Sequence, residues 1–338
     1  MSETFDAIVL GSGVVGASTA FHLSKLGGLK VCVVERGELC SGGTAKSCAI
    51  VRSHYSVLSN TALTLASLEM FAAFKDWLED GDADSGFINS GYLILAPEGD
   101  LAEKMRANLA MQSGVGAETF EVSAAEALER HPLLALDDVA LIGFEPRSGY
   151  ADPYLTTASF LKAARGRGAV VKTACPAEHL LLDRRRVKGV ATAEGQLHAG
   201  LVVSALGPWT RQITDPLGLE IPLEISRHTV LTFRGGSPYA RGLPVVKDLT
   251  TANKMYFRPA TGGVVLVGTG DHGEPLATAD DMDEAVGDDF VLLQGGQLVR
   301  RLTNFEQAAP TASWVGAYDI TPDWNPVLGA VPGIEGLM

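Results

Sequence analysis

The sequence predicts an α/β fold in two interleaved parts, one built on a strand–turn–helix–strand unit and the other a sheet-rich α+β body. Three observations predict it. Residues 5–35 run as a short apolar stretch, a glycine turn, a helix-like stretch and a second apolar stretch. Through residues 60–165 the apolar positions recur mainly at helical spacing. Beyond residue 169 short apolar runs crowd together between Gly and Pro turns, the pattern of strands.

Taken in order, residues 5–10 form a strand, 11–16 a tight turn, 14–26 a helix and 30–34 a second strand ending in Glu35. The run "SGGTAKSCA" at 41–49 is small and polar, which suits a loop lying against something flat or charged. A helix over 60–80 follows, its Leu68, Phe71, Phe74 and Leu78 forming a core stripe. A strand at 90–97 precedes helices at 99–113 and 123–130, and another helix spans 154–165. Strands are expected at 169–173, 178–182, 187–193 and 201–205, then an antiparallel set at 229–233, 254–258 and 264–268.

The bulk numbers narrow the function. At 338 residues, 46% apolar and 20% charged, the chain reads as a soluble globular protein rather than a disordered or membrane one. It lacks the run of about 18 apolar residues that a membrane span needs. Its first residues have neither the basic region nor the apolar core of a signal peptide, so a cytoplasmic location is expected. A net charge of −13 argues against nucleic acid or anionic lipid as partner. Cys32, Cys40, Cys48 and Cys175 form no C-x-x-C pair and no metal-ligand spacing, so they read as reduced thiols and no metal is expected.

The sharpest signal is "VLGSGVVGASTAFHLSKLG". Gly11, Gly13 and Gly16 stand in G-x-G-x-x-G spacing after a strand and at the start of a helix. Gly11 allows the turn, Gly13 lets the backbone approach a pyrophosphate, and Gly16 lets helix and strand pack closely. Val14 and Val15 open the helix, whose free N–H groups and partial positive charge attract phosphate. Glu35 can accept from a ribose hydroxyl and would repel a 2′-phosphate, which disfavours NADP. These residues leave NAD and FAD both open.

The run "DAIVLGSGVVGASTAFHLSKLG…VCVVERG", with "GYADP", "VVSALGPWT" and "YDITPDWNPVLG", resembles the FAD-dependent amine oxidoreductases, the family of sarcosine oxidases, dimethylglycine dehydrogenases, glycine oxidases and D-amino-acid oxidases. The loop "TAKSCAIVRSHYS" is most similar to sarcosine oxidase β subunits. The resemblance implies a Rossmann-like FAD-binding domain (1–85, 150–215 and 315–338) with an interleaved sheet-rich α+β substrate domain (86–149 and 216–314). It implies FAD contacts at Gly11, Gly13, Val14, Val15, Gly16, Glu35 and Arg36, then along Ser41, Gly43, Thr44, Ala45, Lys46, Ser47 and Cys48. Ala177 beside the adenine and Ala205, Gly207 and Trp209 in the second turn complete that set. Family members that bind flavin covalently use a cysteine where Gly316 stands here, or a histidine where Lys46 stands, so non-covalent FAD is expected.

The activity implied is oxidation of a small secondary or tertiary amine, such as an N-methyl amino acid, an imino acid or an opine. Hydride passes from the carbon beside nitrogen to flavin N5, and the resulting imine hydrolyses. Arg52 is similar to an active-site arginine of the monomeric sarcosine oxidases, and Tyr256 to an active-site tyrosine. Arg258, two residues on, would share the strand face of Tyr256. His54 and His228 are further candidates, since an imidazole can poise the amine's protonation. Each of these residues also has an ordinary structural reading. The lysine that aids reaction with oxygen in the monomeric oxidases falls near Leu266, which favours a dehydrogenase passing electrons to a redox carrier over an oxidase using oxygen.

Members of the resembled family continue past "PVLGAVPGIEGL" with a glycine-rich turn over the flavin, whereas the sequence here ends at Met338. A truncated form, a sequence lacking its tail and a replacement by a partner subunit all stay open. The alternative function is accordingly a non-catalytic or truncated flavin-binding subunit of a hetero-oligomeric amine dehydrogenase.

Overall fold

The structure is a computed structural model and describes residues 2–235, 242–273 and 275–338. Its first part is a parallel sheet in the order Leu201–Ser204, Ala7–Leu10, Val31–Val34, Val170–Lys172. Both central strands are buried along their whole length, which explains why "AIVL" and "VCVV" are continuous apolar runs without alternation. The helices Val14–Lys25 and Pro153–Gly166 pack on one face, with the rings of Phe21 and Phe160 5.7 Å apart. Ile8, Leu10, Cys32 and Val34 pack on the other face against Leu180, Val187, Val190 and Leu197 of a second sheet. That sheet runs Ser2–Thr4, Gly195–His198, Arg186–Thr192, Ala177–Asp183. Along the edge strand Leu201–Ser204, the amide of Ser204 donates to Met338 and the amide of Met338 to Val202.

The second part is a mixed sheet of nine strands. Its path is Pro275–Leu276, Glu224–Arg234, Val264–Gly268, Tyr256–Ala260, Val245–Asp248, Tyr92–Ala96, Leu141–Glu145, Phe120–Val122, and Ala309–Ile320 pairs on Glu224–Arg234. Strand side chains alternate between faces, so register sorts this sheet into two chemistries. Leu93, Val246, Phe257, Val267 and Leu231 are opposed in turn across five strands and form one apolar core face. One residue along, Ile94, Lys247, Tyr256, Gly268, Val230 and Trp314 are opposed on the other face, with His228 against Gly316 and Ser226 against Tyr318 further along.

The expected 60–80 helix is two helices, Leu58–Ala72 and Phe74–Leu78, broken at Ala73 (φ −120°, ψ 38°). Past the break Phe74 and Leu78 enter the core under Phe160, its ring 5.5 Å from that of Phe74. Sequence periodicity missed several elements, the strands Phe120–Val122, Gly195–His198 and Val245–Asp248 among them, and three more for reasons the structure makes plain. Asp288–Arg301 is a helix despite Gly295–Gly296, which reads as a turn. Ala309–Ile320 is a long strand whose first five residues are exposed and so show no alternation, and the expected boundary at 315 falls inside it. Leu141–Glu145 is wholly buried and carries no alternation either.

Candidate functional site

The glycine turn is a cradle that side chains would fill. Gly11 has φ +94°, and a Cβ there would stand 2.6 Å from the Ala205 carbonyl oxygen. A Cβ on Gly16 would stand 2.0 Å from the Gly11 oxygen, and one on Gly13 2.8 Å from Thr44 Oγ1. Helix Val14–Lys25 begins at Gly13 with no side-chain cap and no acid in its first turn. Its Val14 amide donates to Thr44 Oγ1 at 3.1 Å, while the next amides, Val15 and Gly16, have no intrahelical acceptor by position. Glu35 braces the turn: Oε2 accepts from the amide and hydroxyl of Ser12 at 2.8 Å each, and Oε1 accepts from the Gly37 amide at 2.9 Å. Ser12 is a cradle residue that motif reading passes over, because it occupies a variable position of the glycine signature.

From this cradle the 41–48 loop leads to the large sheet. Ser41 Oγ lies beside Gly37, the short helix Gly43–Lys46 carries Thr44 and Ala45, and Ser47 Oγ accepts from the Ala49 amide at 2.9 Å. Trp314 Nε1 donates to the Lys46 carbonyl at 2.9 Å. A Cβ on Gly316 would meet Lys46 Cβ at 2.8 Å, so these two positions face each other. Ala205 follows the edge strand and its amide donates to Leu10, and Gly207 turns the chain at φ +53°. Arg36 stacks over the Trp209 ring at 4.3 Å, and both hold Asp280 at 2.8 Å. Ala177 begins its strand half-buried against the second-sheet core. An elongated dinucleotide fits this path: a glycine cradle at a bare helix N-terminus, then a small-residue loop reaching a polar sheet face.

On that face Tyr256 is the hub. Its Oη lies 2.7 Å from His228 Nε2 and accepts from the Cys48 thiol at 3.0 Å. The Tyr256 ring lies across Gly268, where a Cβ would stand 2.1 Å from its hydroxyl. Tyr318 stacks on His228 at 4.2 Å, and His272 continues toward Trp324 at 4.4 Å. Burial pushes the tyrosines up, Tyr256 well above its ordinary value, and holds His228 down at about 4. Cys48 therefore faces Tyr256 through its side chain.

Arg52 lies beside the same face, 4.2 Å over the Tyr55 ring and 5.8 Å over Tyr92, and donates to the His54 carbonyl. His54 is buried and held down at about 4 by desolvation and by Arg52. Its Nδ1 stands 4.0 Å from Oε1 of Glu145, which burial pushes up and which Ser53 and Ser148 hydrogen-bond at the other oxygen. Arg258 does share the face of Tyr256, but its guanidinium is spent on backbone: Nε donates to the Cys48 carbonyl at 2.6 Å and Nη1 to Pro259 at 2.8 Å, over the Tyr150 ring. Leu266 is buried between Val230 and Tyr256. Lys247, Glu145 and Tyr318 join the site without having been singled out in the sequence. Only strand register brings them there.

No helix among the described residues is long and apolar enough to cross a membrane, and no metal-ligating cluster occurs among them. A bare helix N-terminus at a glycine turn, opening onto a polar sheet face, defines a dinucleotide-binding protein. The chain belongs to the FAD dependent oxidoreductase family, DAO, whose model matches residues 6–338, and its cofactor is FAD. It is 25% identical over 350 residues to mitochondrial sarcosine dehydrogenase of Homo sapiens, covering 99% of this chain and 37% of that protein. It is 26% identical over 263 residues to mitochondrial dimethylglycine dehydrogenase of Homo sapiens, covering 77% of this chain and 30% of that protein. The chain thus spans less than two fifths of these relatives. L-proline dehydrogenase from P. horikoshii shares the fold, with a TM-score of 0.91 at 24% identity, covering 100% of this chain and 87% of that one.

Proposed function

We propose that this chain oxidises a small secondary or tertiary amine of the amino-acid type, an N-methyl amino acid, an imino acid or an opine, with FAD held non-covalently. The observation that carries the proposal is the continuous path from the glycine cradle, along the 41–48 loop, to a sheet face bearing Arg52, Tyr256 and His228. The relatives named above act on sarcosine and dimethylglycine, which are amines of this class.

Bound FAD supplies a two-electron acceptor for hydride from the carbon beside nitrogen. Gly11, Gly13, Val14, Val15 and Gly16 would hold its pyrophosphate, Glu35, Arg36, Ala177 and Trp209 its adenosine half, and Ser41–Cys48 with Ala205 and Gly207 would lead to the ring. The FAD side is assigned to 1–85, 150–215 and the residues after strand Ala309–Ile320, and the substrate side to 86–149, 216–314 and the rest of that strand, which pairs throughout with Glu224–Arg234. Arg52 orients the substrate by an anionic group. His228 stays neutral near pH 7, so no imidazolium competes with the substrate nitrogen, and Tyr256 offers it a hydroxyl. Arg258 acts as a positioning residue, fixing the loop carbonyl at Cys48. The apolar Leu266 supports a dehydrogenase that passes electrons to a redox carrier.

The test is the visible spectrum of the FAD-loaded chain during anaerobic addition of sarcosine, dimethylglycine, proline and D-amino acids. Bleaching by one of them, persisting when air is readmitted, is the expected result. Rapid recolouring in air would overturn the dehydrogenase assignment. A chain that takes up FAD but is bleached by none would overturn the amine chemistry and leave the flavin-binding subunit.

A further inference from the structure

We propose that Lys247 is a specificity-determining residue that, together with Arg52, receives the carboxylate of the substrate. The inference rests on the amine chemistry above only for the nature of that ligand. Lys247 lies in Val245–Asp248, opposed to Tyr256 in register, so it stands on the polar face beside the hydroxyl hub. Its Nζ lies 5.4 Å over the Tyr256 ring and donates to the Lys254 carbonyl at 2.6 Å. Gly270 makes room for it, since a Cβ there would come within 2.5 Å of Nζ. An ammonium has three donors, and among the described residues one is used.

What Lys247 lacks is a counter-charge. Among the described residues no acidic side chain forms an ion pair with it or with Arg52. Its neighbour Asp248 cannot serve, because strand alternation sends that carboxylate to the opposite face, where it holds the buried Arg301 at 2.8 Å. Lys247 feels the charge of Arg52, which reaches the same face over Tyr92, two residues along the strand from Ile94 opposite Lys247, and burial with Arg52 holds the lysine down at about 8. Two half-buried cations that repel one another are costly unless an anion joins them. Asp271 and Glu145 act on them only at longer range. A ligand carboxylate between the two would supply the missing charge and place the amine end toward Tyr256.

The test uses the FAD-loaded chain titrated with cyclopentanecarboxylate, which has no amine to oxidise, and with its carboxamide, following the flavin band and binding heat. Expected for the wild type is preference for the carboxylate. Lys247→Met should weaken carboxylate binding by about tenfold to a hundredfold, the range for a charged hydrogen bond, with carboxamide binding unmoved. Lys247→Arg should restore most of the loss, which a purely structural role would not permit.

Raising pH through 8 should weaken the carboxylate in the wild type but not in Lys247→Arg. The other groups facing Lys247 are Arg52, Lys254, Asp271, Cys48, Tyr256, His228 and His272. Burial holds Cys48 and Tyr256 above and the histidines below their ordinary values, which keeps these four from supplying that change. Equal affinity of wild type and Lys247→Met for the carboxylate, or a wild type with no preference over the carboxamide, overturns the inference whatever the amine panel gives. Failure of the amine panel with carboxylate preference intact would overturn the amine chemistry alone.

Discussion

Tyr256 concentrates the residue-scale chemistry, because one hydroxyl satisfies both His228 and Cys48 where water is excluded. Tyr256→Phe keeps the ring across Gly268 and removes only that hydroxyl. The expected cost is about 1–3 kcal/mol of stability, as a buried nitrogen and thiol lose their partner, read from urea midpoints. A loss in kcat/KM of tenfold or more should accompany it, and an unchanged kcat/KM would remove Tyr256 from the reaction. The sequence marks Arg52 and Tyr256 by resemblance and His228 only as an imidazole, and the structure sets His228 against Tyr256 with Arg52 beside the same face. Resemblance alone sets Arg52 ahead of Arg258. Both are arginines near apolar runs, and only the structure reveals that Arg258 is committed to two carbonyls.

At the scale of elements the site is an outcome of pairing. Lys247 reads in "VVKDL" as one charge in a strand, and nothing local says that Asp248 finds its partner on the opposite side. Long-range register, which no window of sequence contains, makes Lys247 and Tyr256 opposite neighbours. The parallel strands and glycine turn were legible because their signals are local: continuous apolar runs and fixed glycine spacing. Gly268 offers a direct probe of the pairing. Gly268→Ala introduces a Cβ 2.1 Å from the Tyr256 hydroxyl, so the ring must swing out of the site. Overpacking of this kind costs about 1–3 kcal/mol. A fall in kcat/KM larger than that of Tyr256→Phe is expected, and steady-state rates on the folded variant check it.

For the whole molecule, the two buried histidines tie stability to pH. His54 and His228 both titrate near 4 in the folded chain, against 6.5 ordinarily. Between those values the unfolded chain binds their protons and the folded chain does not, so stability rises with pH. The contribution is complete above 6.5 and is lost as pH falls toward 4, at about 1.4 kcal/mol per unit for each histidine. Glu145, pushed up by burial, works in the opposite sense above its ordinary value and softens the slope. Urea midpoints at pH 7 and 5 should fall for the wild type and flatten for a His54→Gln, His228→Gln double variant. The parity of the nine-stranded sheet also decides where the gene can accept insertions. One codon added between Val245 and Val246 would turn Lys247 into the apolar core and Val246 out to the polar face, erasing site and core together. The same codon added in the turn at 261–263 would leave both faces as they are, so the turns take a change of length that the strands do not.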